Sequence, residues 1–411
     1  MISTSNIDTS ALIATERQFG AHNYKPLPVV IRQGRGAWVK DVEGRDYLDM
    51  LSAYSALSFG HCHPDLLEAL SAQLQTLTLT SRAFYNDQLP LFCKELAALT
   101  RLDKVLPMNT GAEAVETAIK AARKWGYDHK GVAADSARII VFADNFHGRT
   151  TTIVGFSTSP ETRDGFGPYD GGFDIVPYGD LAAVERAMRD DTVAVLVEPI
   201  QGEGGINIPP AGFLAGLRDL CRDHNALLIC DEIQTGLGRT GALFDSDHEG
   251  VTPDLLILGK ALGGGILPLS AVVGREAVMS VFQPGTHGST FGGNPLAVAV
   301  GRKVVDLLAN GGMVERSATL GQYLQTQLEA LARPYRDTLV KEVRGRGMLI
   351  GLELTDSAGP ARHLCEKLVL RGVLCKDTSD SVVRFAPPFV IAQDDIDFAL
   401  KQVALTLEEM N

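Results

Sequence analysis

The feature that most constrains this chain is a series of short, unbroken runs of Val, Ile and Leu separated by stretches of helical period. The runs Arg138–Phe142, Phe173–Pro177, Thr192–Val197, Ala226–Cys230, Asp254–Leu258 and Leu269–Val273 show little alternation between polar and apolar residues. A strand of that kind must be covered on both faces, as happens when helices cross over a parallel sheet. Between the runs lie Ala112–Tyr127, Leu181–Arg189 and Phe213–His224, each amphipathic at helical spacing. The pattern predicts an α/β fold with a mostly parallel central sheet flanked by helices. The flanks differ. Trp38–Tyr47 reads as a hairpin turning at Glu43-Gly44, a long helix is expected over Pro295–Leu308, and Val343–Leu354 and Val382–Phe385 read as further strands. We therefore expect residues 1–50 to be an N-terminal segment of a smaller α+β domain, 51–308 a large domain, and 309–411 the C-terminal part of the small one.

Composition removes several classes of function. A chain of 411 residues, 45% hydrophobic and 21% charged, can build more than one core and is not broadly disordered. Its net charge of −12, with no basic run, argues against nucleic acid or an anionic membrane as the main partner. No apolar run is long enough to cross a bilayer, and the first residues carry neither secretory nor transit-peptide features. Six cysteines without C-x-x-C spacing fit free thiols in a reducing cytoplasm.

Two strand ends carry the chemistry. Asp231 closes Ala226-Leu-Leu-Ile-Cys-Asp231, and Lys260 follows Asp254-Leu-Leu-Ile-Leu-Gly259 at a glycine-rich turn. Charged groups are rarely left at buried strand ends without a task, and the carboxyl ends of an α/β sheet are where ligands sit. The pair suits pyridoxal 5'-phosphate (PLP): a lysine amine condenses with its aldehyde, and an aspartate keeps its pyridine nitrogen protonated. Thr110-Gly111-Ala112 opens a helix and reads alone as an N-cap turn; beside Asp231 and Lys260 it reads as a phosphate cradle. The turn His287-Gly-Ser289-Thr290 could be a second such loop or a plain one. Phe146 and Arg149, after another strand, could stack on a ring and grip a carboxylate, although an arginine there could also be a surface charge. His147 reads as a packing or supporting residue. Glu198 reads as structural, and Glu203, on a glycine turn, could reach a substrate. His61-Cys62-His63-Pro64 has a metal-like look without companions and reads as a turn with packed histidines.

Together these pieces resemble the class III (subgroup II) PLP-dependent aminotransferases, over most of the chain from about Phe19 to Ile396. The most specific stretch runs from Asp231-Glu-Ile-Gln-Thr-Gly-Leu-Gly-Arg239-Thr-Gly241 to Lys260. Within the family, the stretches around Tyr24, Tyr54, His61, Asp164-Gly-Phe-Gly-Pro168 and Arg384 are most similar to the ornithine-using branch. The resemblance implies fold type I and a homodimer, or a dimer of dimers, with active sites at the subunit boundary. It implies Lys260 as the lysine that carries PLP, Asp231 at the pyridine nitrogen, Gln234 at the phenolic oxygen and Phe146 on the ring. Thr110, Gly111 and Ala112 would hold the phosphate, helped by Thr290 from the other subunit.

For substrates, the resemblance implies Tyr24 and Tyr54 at the α-amino end of ornithine and Arg149 at its carboxylate. Arg384 would take the α-carboxylate of 2-oxoglutarate or glutamate, and Glu203 would pair with Arg384 while ornithine is bound. The expected reaction moves the δ-amino group of ornithine to 2-oxoglutarate. Acetylornithine, 4-aminobutyrate or another ω-amino acid are the alternative donors, and a non-catalytic PLP-binding regulator is the alternative of another class. The sequence departs from the family at Leu57-Ser58-Phe59, where Val-Asn-Gln is usual, and at His147, where Trp is usual. Both departures border the expected site.

Overall fold

The computed structural model describes residues 8–411. A seven-stranded sheet forms its centre, in the order Lys104–Met108, Ser270–Gly274, Leu255–Leu258, Leu227–Asp231, Thr192–Val197, Arg138–Phe142, Phe173–Val176. All neighbours pair in parallel except Ser270–Gly274, which runs against both strands beside it. The sheet is therefore mostly parallel.

The two-faced burial expected of the apolar runs is visible residue by residue. Ile139, Val141, Val193 and Leu196 enter a core under the helix Gly111–Trp125, packed on its Ala114, Val115, Ala118 and Ile119. Ile140, Phe142, Val195 and Val197 enter a core on the opposite face, against Phe213, Leu217 and Cys221 of the helix Phe213–Asp223. Burying each of these side chains contributes about 1.5–3 kcal/mol. Sequence reasoning missed the strand Lys104–Met108. It lies at the sheet edge, where a proline such as Pro107 costs no internal hydrogen bond.

Two smaller four-stranded sheets flank this one. The hairpin Trp38–Asp41/Asp46–Asp49 turns where expected, continues an outer strand Ile31–Arg35, and pairs in parallel with Val373–Leu374 from the far end of the chain. The other sheet orders Val340–Arg346, Leu349–Leu354, Val382–Phe385 and Lys376–Thr378, all antiparallel. The stretch Val343–Leu354 supplies parts of two strands; the chain reverses at Gly347, whose φ of +53° favours glycine. Backbone packs on backbone at that turn: a Cβ on Gly347 would lie 2.4 Å from the Gly241 nitrogen.

Arg239 locks the sheets together. Its buried guanidinium donates to the carbonyls of Met348 (3.0 Å) and Pro387 (2.6 Å) and to Ser58 Oγ (2.8 Å). Burial without a carboxylate partner lowers its pKa to about 9.

Candidate active site

The carboxyl ends of the parallel strands converge on one cavity of about 210 Å³. Asp231 is the last residue of its strand, and Lys260 follows Leu255–Leu258. Phe146 and His147 follow Arg138–Phe142, Glu198 follows Thr192–Val197, and Gly111 and Ala112 open the helix after Lys104–Met108. All seven, with Gln234, line the cavity. Five loops thus deliver cation, carboxylates, aromatic ring and helix terminus to one point.

Lys260 is held at φ +43°, outside the region a lysine prefers. Burial lowers its amine's pKa, assisted by the Arg384 charge and opposed by Glu203, Asp231 and Glu198. Disfavouring the charged form makes the amine more available as a nucleophile and proton carrier.

Thr110 caps the helix through a reciprocal box: its hydroxyl accepts from Glu113 N (3.2 Å), and Glu113 Oε2 accepts from Thr110 N (2.7 Å). The cap reading holds, and capping leaves the Gly111 and Ala112 N–H groups, first in the helix, without acceptors among the described residues. A dianion is the natural occupant of that end. Thr110 itself faces Glu113 and does not line the cavity. Thr290 is exposed and also lies outside the lining. Asn109 Nδ2 donates to Ser289 Oγ (3.0 Å), which ties the Thr290 loop to the helix entrance.

On the substrate side, Arg384 is fully buried on its small-sheet strand, and Glu203 reaches it from the glycine turn. Arg384 Nη1 lies 2.6 Å from Glu203 Oε1, and Nη2 lies 3.3 Å from Oε2. Gln234 stitches the pair, accepting from Arg384 Nη1 (2.9 Å) and donating to Glu203 Oε1 (3.3 Å). Burial alone would raise the Glu203 pKa, but the charge and hydrogen bonds of Arg384 dominate and bring it to about 2.

Tyr54 lies with its ring 4.9 Å from the Arg384 guanidinium carbon. It sits in a left-handed turn, Ser52–Ser55, with φ values of 51°, 47°, 59° and 72°. No glycine in the sequence signals it. Asp49 holds the turn, accepting from Leu51 N (2.9 Å) and Ser52 N (2.8 Å) through one oxygen and bonding His61 Nε2 (2.8 Å) through the other. His61 is therefore a packed turn residue, as the sequence suggested.

Arg149 is exposed, 5.8 Å from the Phe146 ring centroid, with no carboxylate in ion-pair distance among the described residues. Tyr24 is 70% exposed, on a segment anchored through Arg362 to the Lys25 and Pro26 carbonyls. Two residues given only supporting weight from the sequence belong to the cavity wall. His147 Nδ1 bonds Asp231 Oδ2 at 2.7 Å, and Glu198, pushed by burial to about 7, accepts from Phe146 N at 2.7 Å.

This donor set fits PLP. It offers a half-buried lysine for the aldehyde, a buried carboxylate for a ring nitrogen, an aromatic face, and two free helix-terminal amides for a phosphate.

Comparison with known proteins agrees. The sequence profile "Aminotransferase class-III" matches residues 19–407. An ornithine aminotransferase of Brevibacillus brevis is 53% identical over 399 residues, covering 97% of this chain and 98% of that protein. The crystal structure of ornithine aminotransferase from Toxoplasma gondii superposes with a TM-score of 0.96 at 44% identity, covering 99% of this chain and 97% of the other. An acetylornithine aminotransferase from Elizabethkingia anophelis gives 0.89 at 43% identity, covering 98% and 100%. The strand-end lysine and aspartate, the open helix N-terminus beside them and this full-length likeness lead to one conclusion: the chain belongs to the class-III aminotransferases, enzymes that work with pyridoxal phosphate.

Proposed function

We propose that this enzyme is an ornithine δ-aminotransferase. It moves the δ-amino group of L-ornithine to 2-oxoglutarate, giving glutamate and glutamate 5-semialdehyde, which cyclises to pyrroline-5-carboxylate. The observation that carries the reading is the Glu203–Arg384 pair, 2.6 Å apart on a fully buried guanidinium and bonded to Gln234 of the cavity wall. One site must accept a diamine and then a dicarboxylate, and a removable internal carboxylate reconciles the two. With Glu203 in place, Arg384 presents no bare charge to an incoming ammonium group; with Glu203 displaced, it can bind a carboxylate.

When bound, PLP supplies an aldehyde and a protonated ring that draws electrons from the carbon bearing the transferred nitrogen. Lys260 would hold the aldehyde, and its Nζ is the group placed to hold and move a proton at the reacting carbon. Asp231 holds the pyridine nitrogen, Phe146 covers the ring, and Gln234 serves the phenolic oxygen. Thr110, Gly111 and Ala112 hold the phosphate. Tyr24 and Tyr54 bind the α-amino end of ornithine. Arg149 binds the α-carboxylate of ornithine and the side-chain carboxylate of 2-oxoglutarate.

The enzyme is a homodimer, or a dimer of dimers, in which Thr290 completes the partner's phosphate site. Supporting this, Thr290 lies outside its own cavity, and Phe84 (74%), Tyr85 (98%) and Phe291 (56%) stand exposed. Apolar rings left in water at that level mark an interface. Residues 1–50 and 309–411 make up the small domain and 51–308 the large one, supported by the strand pairing of Asp46–Asp49 with Val373–Leu374. Six free thiols, four of them buried, suit a cytoplasmic setting, and no helix among the described residues is long and apolar enough to cross a membrane.

A second reading, acetylornithine as donor, is favoured by the 43% identity to the Elizabethkingia enzyme. A donor panel with 2-oxoglutarate decides, scored for the cyclised semialdehyde with an aminobenzaldehyde trap. Ornithine should give the trapped product fastest. Turnover of acetylornithine or 4-aminobutyrate with none from ornithine would overturn the assignment.

A further inference from the structure

We propose that His147 is a positioning residue for the cofactor: by donating from Nδ1 to Asp231 it fixes the orientation of the carboxylate that meets the pyridine nitrogen. The two side chains come from different strands, 84 residues apart, and meet at 2.7 Å with only 1% and 4% of their side-chain surfaces exposed. An ionised carboxylate only accepts, so Nδ1 must carry the hydrogen; the tautomer follows from the partner.

Both Asp231 oxygens are held. Oδ2 takes the imidazole, and Oδ1 accepts from Ile233 N at 3.1 Å. Of the two, the backbone amide is fixed by the chain, so the imidazole is the element that can be changed. Remove it, and the carboxylate is free to turn about one remaining bond.

The segment that carries the imidazole is held at three points. Glu198 accepts from the preceding amide, Phe146 N, at 2.7 Å. The Phe156 ring packs on His147 at 6.0 Å between centroids, tilted by 56°. The next residue, Gly148, has φ +128° and no room for a side chain: a Cβ there would lie 2.9 Å from Ala112 Cβ. Residues 146–148 therefore press on the helix entrance that cradles an anion, and the same segment sets the carboxylate at the other end of the cavity.

Electrostatics agree with the geometry. Burial works against a charged imidazole, but the hydrogen bond and charge of Asp231, with the charge of Glu198, more than offset it and raise the His147 pKa. Glu198 is driven up to about 7 by burial, moderated by His147 and Lys260. Lys260, Glu198 and Asp231 are the charged groups that share the cavity wall with His147. A donating imidazole there lets the wall hold two carboxyl groups beside one another.

The inference rests on Asp231 meeting the pyridine nitrogen, and the experiment separates the two claims. Holoenzyme carrying ¹⁵N-labelled PLP is compared as wild type, His147→Phe, His147→Asn and Asp231→Asn, reading the pyridine nitrogen signal and the PLP dissociation constant. His147→Phe should move the signal toward the unprotonated position and weaken PLP binding about ten- to a hundredfold, the worth of one hydrogen bond to a charged group. His147→Asn keeps a donor near the place of Nδ1 and should recover most of both losses. An unmoved signal in the Phe variant, or an Asn variant no better than Phe, overturns the positioning role. An unmoved signal in Asp231→Asn overturns the pyridine assignment itself. The ring-nitrogen spectrum of the wild-type histidines needs no variant: Nδ1 of His147 must appear protonated, and an unprotonated Nδ1 refutes the proposal even where Phe does not fold.

Discussion

Replacing Glu203 by Gln tests the gate directly. In the resting enzyme the carboxylate pKa is brought from 4.5 to about 2, chiefly by Arg384 acting against the effect of burial. A displacement of that size corresponds to about 3 kcal/mol between the charged and neutral forms. The sign matters. Because the folded value is depressed, the pair's contribution is complete above the ordinary carboxylate range and is lost only as pH falls through about 2. Acid therefore does not uncover Arg384 until about pH 2; under the proposed gate a competing carboxylate must.

The Glu203 side chain is 28% exposed, so water recovers part of the energy when it swings away. Glutamine also still bonds the guanidinium. The net gain for an incoming 2-oxoglutarate is then about 1.4–2.8 kcal/mol, or ten- to a hundredfold. Stopped-flow absorbance of the two half-reactions, run separately, reads it. Glu203→Gln should tighten 2-oxoglutarate binding by that factor and slow the ornithine half-reaction, because an uncovered guanidinium repels the incoming diamine. Equal effects on both half-reactions, or none on either, would refute a gate and leave Glu203 as a structural counter-ion.

Other outcomes follow from the same geometry. Lys260→Ala should keep its far-ultraviolet circular dichroism while losing at least about 10²–10⁴ of its turnover, the usual worth of an acid–base group; appreciable transamination without added amine would contradict the role of Nζ. The Tyr54 ring lies against Arg384, so Tyr54→Ala should shift the kcat/KM ratio from ornithine toward 4-aminobutyrate by about tenfold or more, the scale of one lost hydrogen bond; an unchanged donor profile would remove Tyr54 from donor selection. Ala53, exposed and left-handed at φ 47°, should accept glycine with a gain of about 1 kcal/mol in urea denaturation, and a loss there would show that the turn is not strained.

Much of this is legible in the sequence. Arg138–Phe142 and Thr192–Val197 could be bounded to the residue because strands buried on both faces leave no polar position to blur them. Lys104–Met108 escaped because an edge strand tolerates a leading lysine and a proline, and so looks like a loop. The reversal of Ser270–Gly274 escaped because strand direction is set by neighbours and leaves no trace in an apolar run. Within the site, Asp231 and Lys260 announce themselves by ending apolar strands. The left-handed turn at Ser52–Ser55 does not, since Ser-Ala-Tyr-Ser contains none of the residues that favour positive φ and is imposed by Asp49 from outside. The His147–Asp231 bond was equally hidden: each residue was visible, but only the sheet order brings their strand ends together.

The account stands on Lys260 as the point where PLP is joined to the chain. Borohydride treatment of the purified holoenzyme reduces that linkage to a stable bond, and peptide mass spectrometry then locates it. The account predicts a phosphopyridoxyl group on the peptide containing Lys260 and on no other lysine. Label on a different lysine, or a PLP-saturated enzyme that takes no label, would contradict it.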